Sequence, residues 1–301
     1  MPMRHDRTNM LATVFVLLTG TLWGLYWLPV RALGAYGLHG AWGTLAIVAT
    51  ATALLAPFAW HARRGLITAN RIGLLSVALG GFAFALYSIG FLYGRVAIIV
   101  ILFFLTPVWS TLIGRFVMGW PTAWTRIAAL LVGLGGLLLI LGADGEMPVP
   151  RGLGEWLALI SGILWSIATT GINAKSDTGP GETAFVFAAG ATLGTLILAP
   201  LLEPLPTTVS QPGQAVLWAL AAGGLWWGLS MAGLLWATAR LEPARVGILL
   251  MAEVLVSATS AAILAGEHLG ALEVTGGALV VLAGVLEVWP QRAPPKPQQT
   301  P

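Results

Sequence analysis

The sequence predicts an all-α polytopic membrane protein with ten transmembrane helices, built as two inverted five-helix repeats around a central cavity. Three observations lead to this prediction. The 301 residues are 57% hydrophobic and only 9% charged, whereas a soluble domain is about 25% charged. The apolar residues fall into ten runs bounded by charged residues, proline or glycine. The second half of the chain also repeats features of the first half.

The ten apolar runs define the candidate spans, because a transmembrane helix needs about 20 mostly apolar residues. They cover residues 11–33, 41–60, 72–93, 96–118, 124–141, 154–174, 183–202, 215–239, 244–265 and 271–288. Ten spans use roughly 200 positions, so the remaining loops and tails are too short for a soluble catalytic domain. The proline-rich, polar stretch 291–301 is predicted to be a disordered tail.

The basic residues predict how these spans are oriented. With the N-terminus in the cytoplasm, alternation places Arg31, Arg95 and Arg151 outside and the other 12 of the 15 Lys and Arg residues inside. Cytoplasmic loops carry such an excess of basic residues, so no nucleic-acid partner is predicted. The sequence thus predicts a multi-pass protein of a bacterial inner membrane, in contact with the lipid bilayer and with both termini in the cytoplasm.

Self-similarity between the two halves predicts the inverted repeat. GGFAFALYSIGFLY at 80–93 is matched by GGLWWGLSMAGLLW at 223–236, and GTLW at 20–23 by GILW at 162–165. The twelve-residue interval from Pro107 to Gly119 recurs from Val254 to Gly266. Because five is an odd number of spans, the repeats 1–147 and 148–290 enter the membrane in opposite directions, as in many secondary transporters.

The end of the second repeat resembles the drug/metabolite transporter superfamily, specifically its EamA-type members. The stretch AEVLVSATSAAILAGEHLGALEVTGGALVVLAGVLEV matches that family's ending at Glu253, Gly266, Glu267, Leu269, Gly276, Leu279 and Gly284. Val254 stands where the family has proline, and Trp120 in the first repeat stands where the family has an acidic residue. The resemblance implies a transporter of amino acids or related metabolites. In size and aromatic content the chain is most similar to the aromatic amino-acid exporters of the superfamily.

Glu253 is the candidate chemical group, because a carboxyl deep within a span is costly and marks a functional site by default. The repeat offset of 147 places Thr106 opposite Glu253. Pro107 follows directly, and it leaves the Phe103 carbonyl without its helical donor and introduces a kink. Three roles stay open for Glu253: proton coupling, contact with a substrate amine, or a structural hydrogen bond that anchors its helix.

Aromatic and small polar residues at helical spacing predict the walls of a substrate cavity. The predicted substrate-binding residues, on spans one, three, four, six, eight and nine, are Trp23, Tyr26, Trp27, Phe84, Tyr87, Ser88, Thr106, Trp109, Trp165, Thr169, Trp227, Ser230, Met231 and Glu253. The predicted hinge residues are Gly20, Gly24, Gly90, Pro107 and Gly233. Helix packing is the competing interpretation for each single aromatic residue.

Together these features predict an exporter of small amphipathic metabolites, with aromatic amino acids as first candidates, that works by alternating access. A multidrug or nucleotide-sugar carrier of the same superfamily is the alternative within transport. A membrane-embedded enzyme or a channel is the alternative from another class. The four histidines are scattered over loops and tails, and the sequence has no nucleotide-binding Gly-Lys-Ser/Thr motif. No enzymatic activity, metal or cofactor is therefore expected, the expected partner is a small-molecule substrate, and no particular oligomeric state is predicted.

Overall fold

The fold is helical throughout the part of the chain that the structure describes. The computed structural model describes residues 2–119, 124–143, 149–238, 241, 246 and 249–288. Over these residues no strand occurs, so the prediction of an all-α protein is confirmed for them. The predicted tail 291–301 and the predicted boundary between the repeats, at residues 147 and 148, lie outside the described residues.

Fourteen α-helices and one π-helical segment make up this described part. The α-helices are α1 (Pro2–Gly24), α2 (Trp27–Ala35), α3 (Trp42–His61), α4 (Arg63–Thr68), α5 (Arg71–Tyr93), α6 (Val96–Phe103), α7 (Thr106–Phe116), α8 (Trp124–Leu141), α9 (Leu153–Lys175), α10 (Pro180–Leu202), α11 (Pro212–Ala221), α12 (Met231–Thr238), α13 (Ala252–Leu264) and α14 (Ala271–Val288). The π-helical segment, Ala222–Ser230, joins α11 to α12.

Seven helical segments are long and apolar enough to cross a membrane. They are Met10–Ala35, Trp42–His61, Arg71–Tyr93, Val96–Phe116, Leu153–Lys175, Pro180–Leu202 and Pro212–Leu234. Three shorter apolar helices, Ile127–Leu141, Ala252–Leu264 and Ala271–Leu286, fall where the fifth, ninth and tenth spans are predicted. By length and composition this is a multi-pass membrane protein, whereas the count of ten crossings stays a prediction.

The outer faces of the helices are apolar, as a membrane protein requires. Large side chains such as Leu75, Leu201 and Ile263 are exposed on the helix surfaces. A soluble monomer rarely exposes such contiguous apolar surface, and lipid contact accounts for it here.

Two of the apolar segments are interrupted near their middle. In the first, the N–H groups of Leu25 and Tyr26 donate to carbonyls three residues earlier, both at 3.0 Å, and this tight turn separates α1 from α2. In the other, α6 ends at Phe103 and α7 begins at Thr106. The second break lies directly before Pro107, where the sequence predicts a kink, since proline has no N–H for the helical bond.

The predicted hinge residues divide into two groups. Gly24 is the last residue of α1 and Pro107 lies in the first turn of α7, so both adjoin breaks. Gly20, Gly90 and Gly233 lie inside α1, α5 and α12. Gly24 also packs tightly on α13, because a Cβ atom added there would lie 2.7 Å from Cβ of Val256.

Glycines allow the central helix α5 to approach its neighbour α10 closely. A Cβ atom on Gly81 would lie 1.8 Å from the carbonyl oxygen of Phe187, and one on Gly190 would lie 2.2 Å from the carbonyl oxygen of Ala78. Such contacts leave no room for any larger residue. Close packing through small residues is how helices associate inside a membrane, where burial of apolar side chains contributes little.

The connections between helices gather at two opposite ends of the bundle. At one end Arg31 forms an ion pair with Glu267, and we call this the Arg31 end. At the other the backbone N–H of Asn70 donates to the carboxylate of Asp177, and we call this the Arg63 end after the first residue of α4. Of the predicted loops that the structure describes, 34–40, 94–95, 203–211 and 265–270 lie at the Arg31 end, and 62–70 and 176–179 lie at the Arg63 end.

Candidate functional site

Phe84, near the middle of α5, is the centre of a cluster of aromatic rings. Its ring centroid lies 4.9 Å from that of Trp165, 5.1 Å from that of Trp23 and 5.3 Å from that of Phe103. All three pairs have the edge-to-face arrangement that the charge distribution of aromatic rings favours. The remaining rings around Phe84 are those of Tyr87, Phe187 and Trp227, at 6.1, 5.5 and 6.4 Å. Aromatic residues from several predicted spans therefore meet at one level of the bundle.

A cavity of about 260 Å³ adjoins this cluster. The predicted site residues that line it are Trp23, Phe84, Thr106, Pro107, Trp165, Met231 and Glu253. The lining residues that the sequence did not single out for the site are Thr19, Phe103, Phe104, Leu234, Leu250, Met251 and Gly284. The lining thus comes from the six spans expected to surround a cavity, and from α14 as well.

The cavity extends from the aromatic cluster toward the Arg63 end. Thr19 precedes Trp23 in α1, which runs toward the Arg31 end. Thr106 follows Phe103 along the segment that starts after Arg95 and runs toward the Arg63 end. Both pairs place the open space on the Arg63 side of the aromatic rings.

Glu253 is the one ionisable side chain among the described residues that line this cavity. It lies in the first turn of α13 and is only 7% exposed. The Tyr87 hydroxyl donates a 2.9 Å hydrogen bond to its Oε1 atom. Thr106, which the repeat offset places opposite Glu253, lines the same cavity. A carboxyl and a hydroxyl thus border one apolar, aromatic space.

Five predicted site residues are buried on the Arg31 side of the cavity rather than in its lining. They are Tyr26, Trp27, Tyr87, Ser88 and Trp227, and we call them the closed layer. The Trp227 indole N–H donates to the Tyr26 hydroxyl at 3.0 Å, and this hydroxyl lies 3.2 Å from Ser88 Oγ. These three buried polar groups therefore satisfy one another within the layer.

Three further predicted residues lie outside the cavity lining. Ser230 Oγ accepts the indole N–H of Trp23 at 3.1 Å. The Thr169 hydroxyl donates to the Trp165 carbonyl, one turn earlier in α9, at 2.9 Å. Trp109 Nε1 is buried and has no hydrogen-bond partner among the described residues. Ser230 thus orients Trp23, Trp109 packs against the hydrophobic core, and the Thr169 hydroxyl bonds within its own helix.

The π-helical segment brings a residue into the site that the sequence did not indicate. The indole N–H of Trp226 donates a 2.5 Å hydrogen bond to the Leu22 carbonyl, directly before the break between α1 and α2. Its neighbour Trp227 belongs to the closed layer. π-Helical turns are rare and are frequent at functional sites, and here one lets two adjacent tryptophans both turn inward. The WW pair in the repeated motif at 223–236 is the feature that could have revealed Trp226.

Four charged side chains at the Arg31 end form what we call the ion-pair cluster: Arg31, Arg95, Glu267 and Glu273. Arg31 Nη2 lies 2.9 Å from Glu267 Oε1, and Arg95 Nη1 lies 2.5 Å from Glu273 Oε1. Glu267 Oε1 also accepts the N–H of Val96, at the start of α6, at 3.0 Å. A helix N-terminus favours such a negative charge. Sequence reasoning missed this cluster, since its partners lie 236 and 178 positions apart.

A second cavity, of about 540 Å³, lies at the Arg31 end. Its lining includes Arg31, His39, Phe91, Tyr93 and Glu203, and it is the more polar of the two spaces. Along the helices, the closed layer lies between this outer cavity and the cavity beside Phe84. These two cavities therefore lie on opposite sides of the closed layer.

The cavity beside Phe84 has the chemistry of a binding site for a small amphipathic molecule. Its rings offer apolar contact and π faces, while the carboxyl of Glu253 and the hydroxyls of Thr19 and Thr106 offer hydrogen bonds. Within the described ranges, no group of three or more His, Cys, Asp or Glu residues is arranged to hold a metal ion.

No protein-family model and no curated protein matches this chain. The fold is similar to that of a protein of known crystal structure, with a TM-score of 0.60 and 17% sequence identity. The match covers 91% of this chain and 95% of the other. At this identity the likeness shows a shared fold and nothing about the substrate.

Proposed function

We propose that the protein is a transporter that exports small amphipathic metabolites, with aromatic amino acids as first candidates, by alternating access. The observation that carries this proposal is the cavity beside Phe84. It combines an aromatic wall with one carboxyl, that of Glu253, inside a bundle of apolar helices. Ligand sites are concave and mostly apolar, with a few well-placed polar groups. Secondary transporters bind their substrates between interrupted helices near the bilayer midplane.

Ten crossings in two inverted repeats form part of this proposal. A Cβ atom on Gly136 would lie 2.6 Å from the Gly276 carbonyl oxygen, and a Cβ atom on Gly276 would lie 2.6 Å from the Gly136 carbonyl oxygen. These residues are 140 positions apart, in the fifth and tenth predicted spans. Reciprocal contact of this kind shows that the fifth and tenth predicted spans pack closely through small residues, as transmembrane helices do.

Two glycines give independent support for the repeat. Gly119 has a φ of +68° and Gly266 has a φ of +66°. They follow α7 and α13 and are separated by the 147 positions that also relate Pro107 to Val254. A left-handed conformation of this kind favours glycine. Equivalent positions of the two proposed repeats thus end their helices with the same backbone turn.

The closed layer and the ion-pair cluster supply the barrier that alternating access requires. Arg31 and Arg95 belong to the first proposed repeat, and Glu267 and Glu273 belong to the second. Separating the repeats at the Arg31 end would break both ion pairs and join the two cavities. The proposed cycle alternates between the present arrangement, closed at the Arg31 end, and one that is closed at the Arg63 end.

The direction of export follows from the proposed orientation. The positive-inside rule assigns the Arg63 end to the cytoplasm of a bacterial inner membrane. The cavity beside Phe84 lies on that side of the closed layer, where an exporter binds its substrate before release to the outside.

The size and charge of the cavity favour a small substrate over drug-sized molecules and nucleotide sugars, which the alternative carriers transport. Its volume of about 260 Å³ is below the roughly 300–1,000 Å³ of pockets for drug-sized ligands. A nucleotide sugar is larger and carries phosphates, which proteins bind with arginine and lysine. The part of the lining that the structure describes contains neither arginine nor lysine.

Counterflow in proteoliposomes tests the proposed function. Vesicles loaded with unlabelled phenylalanine should take up labelled phenylalanine transiently above equilibrium, because a carrier exchanges one molecule for another. A channel would equilibrate the label without this overshoot, and protein-free vesicles provide the background. Absence of counterflow for phenylalanine, tyrosine, tryptophan and a panel of other amino acids would overturn the proposal.

A further inference from the structure

We propose that the cavity recognises its substrate by a protonated amino group, with Glu253 as the counter-charge, and therefore prefers small aromatic amines to the corresponding amino acids. This inference rests on the proposed transport function and specifies its substrate class. Four features of the cavity support it: the position of the carboxyl, the absence of a partner for a substrate carboxylate, the aromatic wall and the volume.

The carboxyl of Glu253 is placed to receive a cation from the cavity. Glu253 lines the cavity, and the Tyr87 hydroxyl at 2.9 Å fixes its Oε1 atom from the closed-layer side. An unpaired charge in such apolar surroundings is costly. A bound ammonium group supplies the missing positive charge and up to three donors, so a cationic ligand gains more from this carboxyl than a neutral one.

A substrate carboxylate finds no comparable partner in the same space. Among the described residues that line the cavity, none is Arg, Lys or His. The start of α7 also borders the cavity, but Pro107 has no N–H and the Val108 N–H donates to the Leu105 carbonyl at 2.9 Å. Arg31 lies beyond the closed layer and is paired with Glu267. Within the described lining, the carboxylate of an amino acid would therefore exchange its hydration for at most the hydroxyls of Thr19 and Thr106, with no positive charge to pair with.

The aromatic wall favours a cation that carries a ring. Trp23, Phe84, Phe103 and Trp165 line the cavity. Indole and phenyl faces attract ammonium groups within about 6 Å, and they stack on a substrate ring as well. A volume of about 260 Å³ suits a molecule with one aromatic ring and a short chain.

Three ligands that share one phenyl ring and differ in charge test the inference. They are 2-phenylethylamine, phenylalanine and 3-phenylpropionate, and their binding to the purified full-length protein is measured by isothermal titration calorimetry. The amine should bind about tenfold or more tightly than phenylalanine, since both ligands offer the same ammonium group to Glu253 but only phenylalanine must also bury a carboxylate. Phenylpropionate should bind most weakly.

Variants of Glu253 identify the group responsible. Glu253→Gln should reduce amine affinity by about tenfold or more and leave phenylpropionate affinity unchanged or improved. Glu253→Asp keeps the charge and should preserve the ranking of the three ligands, which separates loss of charge from misfolding. Glu155→Gln removes a carboxyl outside the cavity and should bind all three ligands like the parent.

Each outcome decides the inference. An amine that binds no more tightly than phenylalanine, or an amine affinity that Glu253→Gln leaves unchanged, would overturn it. Failure of all three ligands to bind would overturn it as well. Counterflow of phenylalanine by the parent protein is measured in parallel: counterflow without amine preference rejects only this inference, whereas no counterflow of any substrate rejects the transport function.

Discussion

The hydroxyl oxygen of Thr52 in α3 lies 2.8 Å from that of Thr192 in α10, and the two threonines are 140 positions apart. Each hydroxyl also bonds to a carbonyl four residues earlier, those of Val48 and Ala188, which are again 140 positions apart. The second and seventh predicted spans therefore make the same contact from both sides. Such a contact is expected where a two-fold axis relates the halves of an inverted repeat.

Cysteines at these two positions should cross-link. The chain contains no cysteine, so Thr52→Cys with Thr192→Cys introduces the only thiols. A short thiol-specific cross-linker should join them, because the parent oxygen atoms are in contact. After cleavage at a protease site engineered between α9 and α10, the cross-linked chain should still migrate as one piece on a denaturing gel.

Thr50 provides the matched control for this cross-link. Thr50 lies on α3 only two residues before Thr52 but faces the π-helical segment. A Cβ atom added to Gly223 in that segment would lie 3.1 Å from the Cβ atom of Thr50. Thr50→Cys with Thr192→Cys should separate into two pieces after cleavage. Equal cross-linking of both pairs would contradict the contact between α3 and α10.

The proposed topology predicts which end of the bundle faces the cell exterior. Gly181, at the Arg63 end, and Gly213, at the Arg31 end, each have open space where a Cβ atom would be added, so cysteine fits at both. In intact cells a membrane-impermeant thiol reagent should label Gly213→Cys and leave Gly181→Cys unlabelled. The reverse pattern would invert the orientation and with it the proposed direction of export.

The sequence predicted the helices well wherever a polar residue, proline or glycine borders an apolar run. The predicted spans 72–93 and 154–174 correspond to Arg71–Tyr93 and Leu153–Lys175. The break after Gly24 falls at a residue that the sequence predicted as a hinge, although no proline marks it. It coincides with a close approach to α13, where a Cβ atom on Gly24 would lie 2.9 Å from the Glu253 carbonyl oxygen, and no local pattern encodes such a contact.

The candidate site was predictable only in part, because the sequence shows which residues share a helix face but not how they pack. Helical spacing singled out Trp23, Phe84 and Trp165, which line the cavity. Spacing does not report how deeply a ring packs, so it equally selected Tyr87 and Trp227, which the structure places in the closed layer. The ion-pair cluster depends on partners that are far apart in the chain, so only the folded arrangement reveals it.

Weakening the ion-pair cluster should open the Arg31 end. Glu267→Gln removes the charge that holds Arg31 at 2.9 Å, and loss of about 1.4 kcal/mol would raise the open population roughly tenfold. The readout is the rate at which an external thiol reagent labels Ser88→Cys in the closed layer. We expect slow labelling when Ser88→Cys is the only substitution. Adding Glu267→Gln should make labelling about tenfold faster.

Glu203→Gln is the control for this experiment. Glu203 lies at the same end and lines the outer cavity, but its carboxyl accepts a 3.4 Å hydrogen bond from the Tyr93 hydroxyl rather than belonging to the ion-pair cluster. Labelling of Ser88→Cys should stay slow in this variant. If Glu267→Gln and Glu203→Gln label at the same rate, the ion pair does not hold the layer closed.

Two tryptophans should separate substrate binding from stability. Trp165 is half-buried and lines the cavity, so Trp165→Ala should weaken substrate binding severalfold, as expected for about 1 kcal/mol of ring contact. Trp227 is 1% exposed within the closed layer, and Trp227→Ala should lower the free energy of unfolding by roughly 3–5 kcal/mol. Trp156→Ala, on an exposed position of the helix that holds Trp165, should change neither quantity. Thermal unfolding and ligand titration of the three purified variants provide the comparison. A large loss of stability at unchanged affinity in Trp165→Ala would mean that its ring packs the helices together and does not contact substrate.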